Sequence, residues 1–169
     1  MMKIAYTMAR GRGELDLLLA ELAKRLQARG VATRGIVQTN SECESDHRCD
    51  MDVQILPDGD VIRISQHLGK EARGCRLDPN AMAHAVTQVA RSMEGPYDVF
   101  MLNKFGKQEA DGQGFRDLIA EAAASGATVI AGTNPLNSEK FEQFADGMAT
   151  EVAPDIDVLL AWYDKVNAA

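Results

Sequence analysis

The chain has 169 residues, 46% hydrophobic, 25% charged and only 5% aromatic. That is the balance of one globular domain, with a core of Leu, Ile, Val, Ala and Met rather than of rings. The net charge of −7 argues against a broad electrostatic grip on nucleic acid or anionic lipid, while leaving room for a local basic pocket.

No stretch approaches the ~20 apolar residues of a bilayer span, so no membrane insertion is expected. Met1 to Tyr6 enters a strand-like run without the charged, apolar and cleavage-site order of a secretory leader. Three cysteines, an odd number, favour reduced thiols over a disulfide scaffold. A cytoplasmic location is the expectation.

In chain order, Lys3 to Met8 reads as a short buried strand running into Ala9-Arg10-Gly11-Arg12-Gly13. From Glu14 to Arg29 the period becomes helical, with Leu15, Leu18, Leu19, Leu22 and Leu26 on one face and Gly30 as the stop. Thr33 to Thr39 is a second strand, and Asn40 to Arg48 a polar loop. Met51, Val53 and Ile55 alternate with polar residues, Pro57-Asp58-Gly59 turns, and Val61 to Ile64 returns, which predicts a β-hairpin. Lys70 to Leu77 is a charged connector. Pro79 opens a helix whose inward positions include Met82, Ala85, Val86 and Val89. Tyr97 to Leu102 is the most apolar run and the predicted central strand. A helix over Phe115 to Ala124, a strand over Ala127 to Gly132, and helices over Asn137 to Ala145 and Asp155 to Tyr163 complete the chain. Met8, Met51, Met82, Met93, Met101 and Met148 read as packing residues. His84 falls on a helix with no motif around it.

Strand and helix alternate with one hairpin, about residues 49–65, inserted. The fold class expected is therefore a single α/β domain over residues 1–169, a mostly parallel sheet with helices on both faces.

In open parallel sheets ligands sit beyond the carboxyl ends of the strands, so the residues after each predicted strand are the place to look. They are Arg10-Gly11-Arg12-Gly13, then Thr39-Asn40, then Asn103-Lys104-Phe105-Gly106-Lys107, then Asn134 in Thr133 to Asn137. The first has the order of a phosphate-binding loop, in which backbone N–H groups and a helix dipole face an anion. Against G-x-x-x-x-G-K-[ST], however, Met8 stands at the first glycine, Glu14 at the lysine and Leu15 at the hydroxyl. Glu14 and Asp16 answer the dipole themselves; a plain tight turn into a charge-capped helix accounts for the segment equally well. Lys104 and Lys107 are the stronger candidates to meet an anion, the bland alternative being that they pair with Glu109 or Asp111.

At these residues a resemblance enters. From Lys3 to Trp162 the chain resembles the bacterial family catalogued as domain of unknown function 2478. The resemblance is carried by Val37 to Asn40, Arg48 to Asp52, Arg73-Gly74-Cys75-Arg76-Leu77-Asp78, and Asn103 to Glu109 through Gly114-Phe115-Arg116. That family is similar to P-loop nucleoside triphosphatases, and some members carry molybdenum-transport or molybdenum-cofactor labels. The wider resemblance is to thermophile-type nucleoside triphosphatases and to the adaptor protein B of molybdopterin-guanine-dinucleotide synthesis. It implies a three-layer P-loop-like fold. In those proteins an acidic pair follows the central strand; here Asn103-Lys104 stands in its place, so magnesium-assisted phosphoryl transfer is put in doubt.

Cys49 and Cys75 fall in the family-like stretches, and with Cys43 and His47 would suffice in number for zinc. The spacing disfavours it, and two separate small residues is the simpler reading. Arg73 and Arg76 flank Cys75 and could clamp phosphate, molybdate or carboxylate, or be balanced by Glu71 and Asp78. Asp50 and Asp52 share a strand face and could hold a cation or pair those arginines, the second needing no metal.

The function expected is binding of an anionic small molecule, a nucleotide or a molybdate-like oxyanion, by a degenerate loop, in a role accessory to molybdenum uptake or cofactor assembly. The alternatives are a divergent nucleoside triphosphatase or nucleotide-dependent enzyme, and an interaction module with a vestigial loop. A homodimer is expected without an interface being fixed.

Overall fold

A computed structural model describes residues 3–11, 13–40, 51–65 and 77–168. Five parallel strands form the body of one sheet: β1 (Ile4–Thr7), β2 (Thr33–Asn40), β5 (Val99–Leu102), β6 (Thr128–Gly132) and β7 (Ala149–Glu151). β3 (Met51–Ile55) and β4 (Val61–Arg63) add an antiparallel hairpin, giving the spatial order β4-β3-β2-β5-β6-β1-β7. The helices are α1 (Glu14–Ala28), α2 (Pro79–Ser92), α3 (Lys107–Ala110), α4 (Arg116–Ala124), α5 (Ser138–Phe144) and α6 (Ile156–Val166).

The two cores follow from the period-two alternation of side chains along a strand. Tyr6, Ile36, Phe100, Leu102, Val129 and Ala131 face α2, α4 and α5. Their neighbours Ala5, Val37, Val99, Met101 and Ile130 face α1 and α6. Both faces are covered, which is why these strands are apolar throughout rather than alternating.

Helix ends are fixed by local chemistry. The Asp78 carboxylate accepts from the N–H groups of Asn80 and Ala81, with Pro79 at the first helical position. Asp155 does the same for Asp157 and Val158. Helix α1 instead starts at Gly13 in the left-handed region, φ 79°, with no side-chain cap.

Four features differ from the sequence reading, the first being α3, a helical turn within what reads as a strand-end loop. β2 runs through Asn40, because the ladder with β3 continues to the Asn40–Met51 pair. β7 was not anticipated: it is a three-residue edge strand whose residues are partly or fully exposed, and it forms by pairing with β1. Met148 is 46% exposed and so is not a packing residue. Among the described residues no helix is long and apolar enough to cross a membrane.

Candidate functional site

Strands β1 and β6 are adjacent, yet their crossovers leave to opposite faces: α1 follows β1 on one side and α5 follows β6 on the other. This is the topological switch point of the sheet, where a crevice opens beyond the strand ends. The segments that leave the sheet at this end are residues 8–11 after β1, 103–106 after β5 and 133–137 after β6.

Four groups that the sequence reading had not connected, or had connected differently, organise this end. The first is Asn103, only 2% exposed. Its Nδ2 donates to Asp16 Oδ1 at 2.7 Å and, more weakly, to Gln38 Oε1 at 3.4 Å. Its Oδ1 accepts from the Gln38 backbone N–H at 3.0 Å. The amide thus joins the start of α1 to the ends of β2 and β5. Its hydrogen-bonding capacity goes into the protein.

The second group is Glu14. Its carboxylate folds back over the turn and accepts from the Gly11 N–H at 3.3 Å. A Cβ on Gly11 would lie 2.2 Å from that carboxylate. An anion approaching the turn therefore meets a carboxylate already placed on one of its N–H groups. The third is Gly132, whose Cβ would fall 2.3 Å from the Asn103 carbonyl oxygen; a glycine here lets the β5 exit cross the end of β6.

The fourth group is Glu109, 5% exposed. Its two oxygens accept from Gly106 N–H at 3.0 Å and Phe115 N–H at 3.1 Å. Burial raises its carboxyl above the ordinary range, and the backbone donors pull it partly back. Glu109 is accordingly not the partner of Lys104 or Lys107, which corrects the pairing considered from sequence.

Arg10, Lys104 and Lys107 are exposed and form no ion pair among the described residues. Arg10 follows β1 and Lys104 follows β5, so their loops stand two strand spacings apart, about 10 Å at the backbone. Asn134 is half-buried; its Oδ1 accepts from Asn137 N–H and Nδ2, closing the turn before α5. Thr39 is exposed within the β2–β3 ladder opposite Asp52, away from the switch point. Asp52 itself pairs with Arg63 across the hairpin at 3.0 Å, while Arg73 and Arg76, its partners expected from sequence, lie outside the described residues. His84 is exposed on α2.

Arg12, Arg73, Arg76, Cys49, Cys75, Cys43, His47 and Asp50 lie outside the described residues, and of Asn40 only the backbone is described. Among the described residues no cluster of three or more His, Cys, Asp or Glu could hold a metal ion. The Thr7 hydroxyl, at the end of β1, is buried without a hydrogen-bond partner among the described residues. Two clefts open away from the switch point, one of about 380 Å³ beside Pro57 and Arg91, the other of about 350 Å³ beside Val158 and Trp162. Neither gathers the cations that the strand ends do.

This sheet order, with its glycine turn between β1 and α1, defines the class: a P-loop-NTPase-like α/β fold. The chain belongs to the family described as protein of unknown function (DUF2478), which matches it over residues 4–162. It is 35% identical over 166 residues to the protein named molybdenum import ATP-binding protein ModC 2 of Bradyrhizobium diazoefficiens. That match takes in 98% of this chain but only 18% of the relative. The crystal structure of THEP1 from the hyperthermophile Aquifex aeolicus superposes with a TM-score of 0.62 at 18% identity, covering 99% of this chain and 100% of that one, a likeness of fold.

Proposed function

We propose that this chain binds a small anion, a nucleotide or a molybdate-like oxyanion, at the switch-point crevice through a degenerate phosphate loop, and that it is accessory to molybdenum uptake or cofactor assembly. The observation that carries the reading is that Arg10, Lys104 and Lys107, exposed after the two strands that flank β6, form no ion pair among the described residues. The name of the relative from Bradyrhizobium supports the molybdenum context. A separation of about 10 Å between the loop backbones suits an extended polyphosphate, while the reach of Lys and Arg side chains still allows convergence on a compact oxyanion.

Efficient phosphoryl transfer needs a loop lysine, a metal-holding hydroxyl and a carboxylate after the central strand. Glu14, Leu15 and Asn103 stand at those places, and Asn103 is tied to Asp16. Binding is therefore proposed without efficient hydrolysis. Titration calorimetry of ATP and of molybdate in the presence of chelator tests this: binding is expected to persist there and to weaken at least tenfold in Lys104→Ala. Binding that requires Mg²⁺ and is accompanied by turnover would instead establish a divergent nucleoside triphosphatase.

A second reading, an interaction module with a vestigial loop, is favoured by Leu17 and Leu136, which are 75% and 88% exposed near this end of the sheet. It predicts that neither ligand binds.

A further inference from the structure

We infer that Glu109 is the positioning residue of the anion site: its buried carboxylate clasps the two ends of the 106–115 segment and so presents Lys104 and Lys107 without an ion pair among the described residues. This rests on the anion-binding reading above and adds to it a residue that touches no ligand.

The segment bearing the lysines is pinned at two successive residues. Phe105 is 1% exposed; its N–H donates to the Gly132 carbonyl at 2.6 Å and its carbonyl accepts from the Thr133 hydroxyl at 2.9 Å. Its ring packs edge-on against Phe141 with centroids 5.0 Å apart. Gly106 is pinned next, by Glu109 Oε1. Lys104 and Lys107 project from either side of this fixed pair, and both are exposed.

The other carboxylate oxygen reaches the far end of the loop, Phe115 N–H. Gly114 sits beside it at φ 62°, and a Cβ there would lie 1.9 Å from Glu109 Oε2. That glycine is required by the carboxylate. Gly106 is not required in the same way, since a Cβ on it would stand 3.7 Å from the nearest Glu109 oxygen, an ordinary contact.

The electrostatic consequence follows from the direction of the oxygens. Glu109 follows Lys107 by two positions on α3, so the two do not face each other along the helix. Here both oxygens are turned inward onto backbone N–H groups, which satisfy a buried carboxylate without a cation. The lysines are thereby left to an external anion.

The test uses molybdate and ATP as probes in calorimetry, with amide hydrogen exchange at Gly106 and Phe115 measured without ligand. Glu109→Gln keeps the shape but can accept at only one of the two N–H sites; Gly114→Ala keeps the charge but displaces it. Both are expected to speed exchange at these amides at least tenfold and to weaken the probe that wild type binds at least tenfold. Gly106→Ala should do neither. Val89→Ala, on α2 and away from the loop, controls for lost stability and should leave affinity unchanged.

Wild-type binding that weakens in Lys104→Ala but not in Glu109→Gln or Gly114→Ala would overturn the clasp and leave the anion reading standing. Equal weakening in Val89→Ala would also overturn it, as a mere stability effect. No binding of either probe by wild type would overturn both.

Discussion

Asn103→Asp would place a carboxylate where an amide now donates to Asp16 across 2.7 Å. Two unit charges at that separation repel by about 6 kcal/mol at an effective dielectric of 20. The pair can avoid the full repulsion by taking up one proton. For a carboxyl of ordinary value near 3.9 this costs at most about 4 kcal/mol at pH 7. Asp16 is partly exposed, which softens both figures, so a loss of about 3 kcal/mol is expected, or roughly 6–12 °C in melting temperature for a domain of this length. A carboxyl raised by a like charge contributes stability that is present below its unfolded value and lost as pH rises through its folded value. The deficit should therefore shrink between pH 7 and pH 5. Calorimetric melts at both pH values check this, together with the double variant Asp16→Asn/Asn103→Asp. That double variant exchanges donor and acceptor and should recover most of the loss. A single variant as stable as wild type at pH 7, with no pH dependence, would refute the role given to the Asn103–Asp16 hydrogen bond.

Three further outcomes follow from the geometry. Gly35→Ala should cost at least about 3 kcal/mol by denaturant melts, from a strained positive φ and overpacking together; φ is 105° and the new Cβ would lie 1.9 Å from the Met101 carbonyl oxygen. Because burial raises Glu109 above its unfolded value, its contribution to stability is fully present below the ordinary carboxylate range and lost as pH rises through the folded value. The melting temperature of wild type should thus gain on that of Glu109→Gln as pH is lowered through this window. Glu14→Ala, which frees the Gly11 N–H and removes a charge from the turn, should tighten sulfate or phosphate binding about fivefold, in line with ~1 kcal/mol for two charges 4 Å apart in water-like surroundings. Unchanged affinity by calorimetry would mean that the anion does not use this turn.

The sheet was legible because its signal is dense and local. Val99–Leu102 is apolar without interruption and Thr128–Gly132 apolar after its first residue, and both strands are buried along their whole length. The hairpin announced itself through the alternation of Met51, Val53 and Ile55 and the Pro57-Asp58-Gly59 turn. β7 lacked any such signal, since Ala149–Glu151 is short, half polar and held by one neighbour. The site was legible by location only: residues after strands of a parallel sheet must converge, and the strand-end loops were found that way. Their partners were not. Asp16 and Asn103 are 87 positions apart, and no spacing rule joins them. Pairing of Glu109 with a lysine stood as an alternative because sequence gives proximity along the chain, whereas the carboxylate turns onto the N–H groups of Gly106 and Phe115, with Gly114 leaving it room.

Thermal-shift titration across ATP, GTP, phosphate, molybdate and tungstate, with Mg²⁺ and with chelator, tests anion binding at the switch point most directly. A ligand at a hundred times its dissociation constant stabilises the folded state by about 2.7 kcal/mol, several degrees in a domain of this size. The expected result is a shift with a nucleotide or an oxyanion that survives chelation and is lost in Lys104→Ala. Silence with every ligand, or a shift that Lys104→Ala leaves intact, would contradict it.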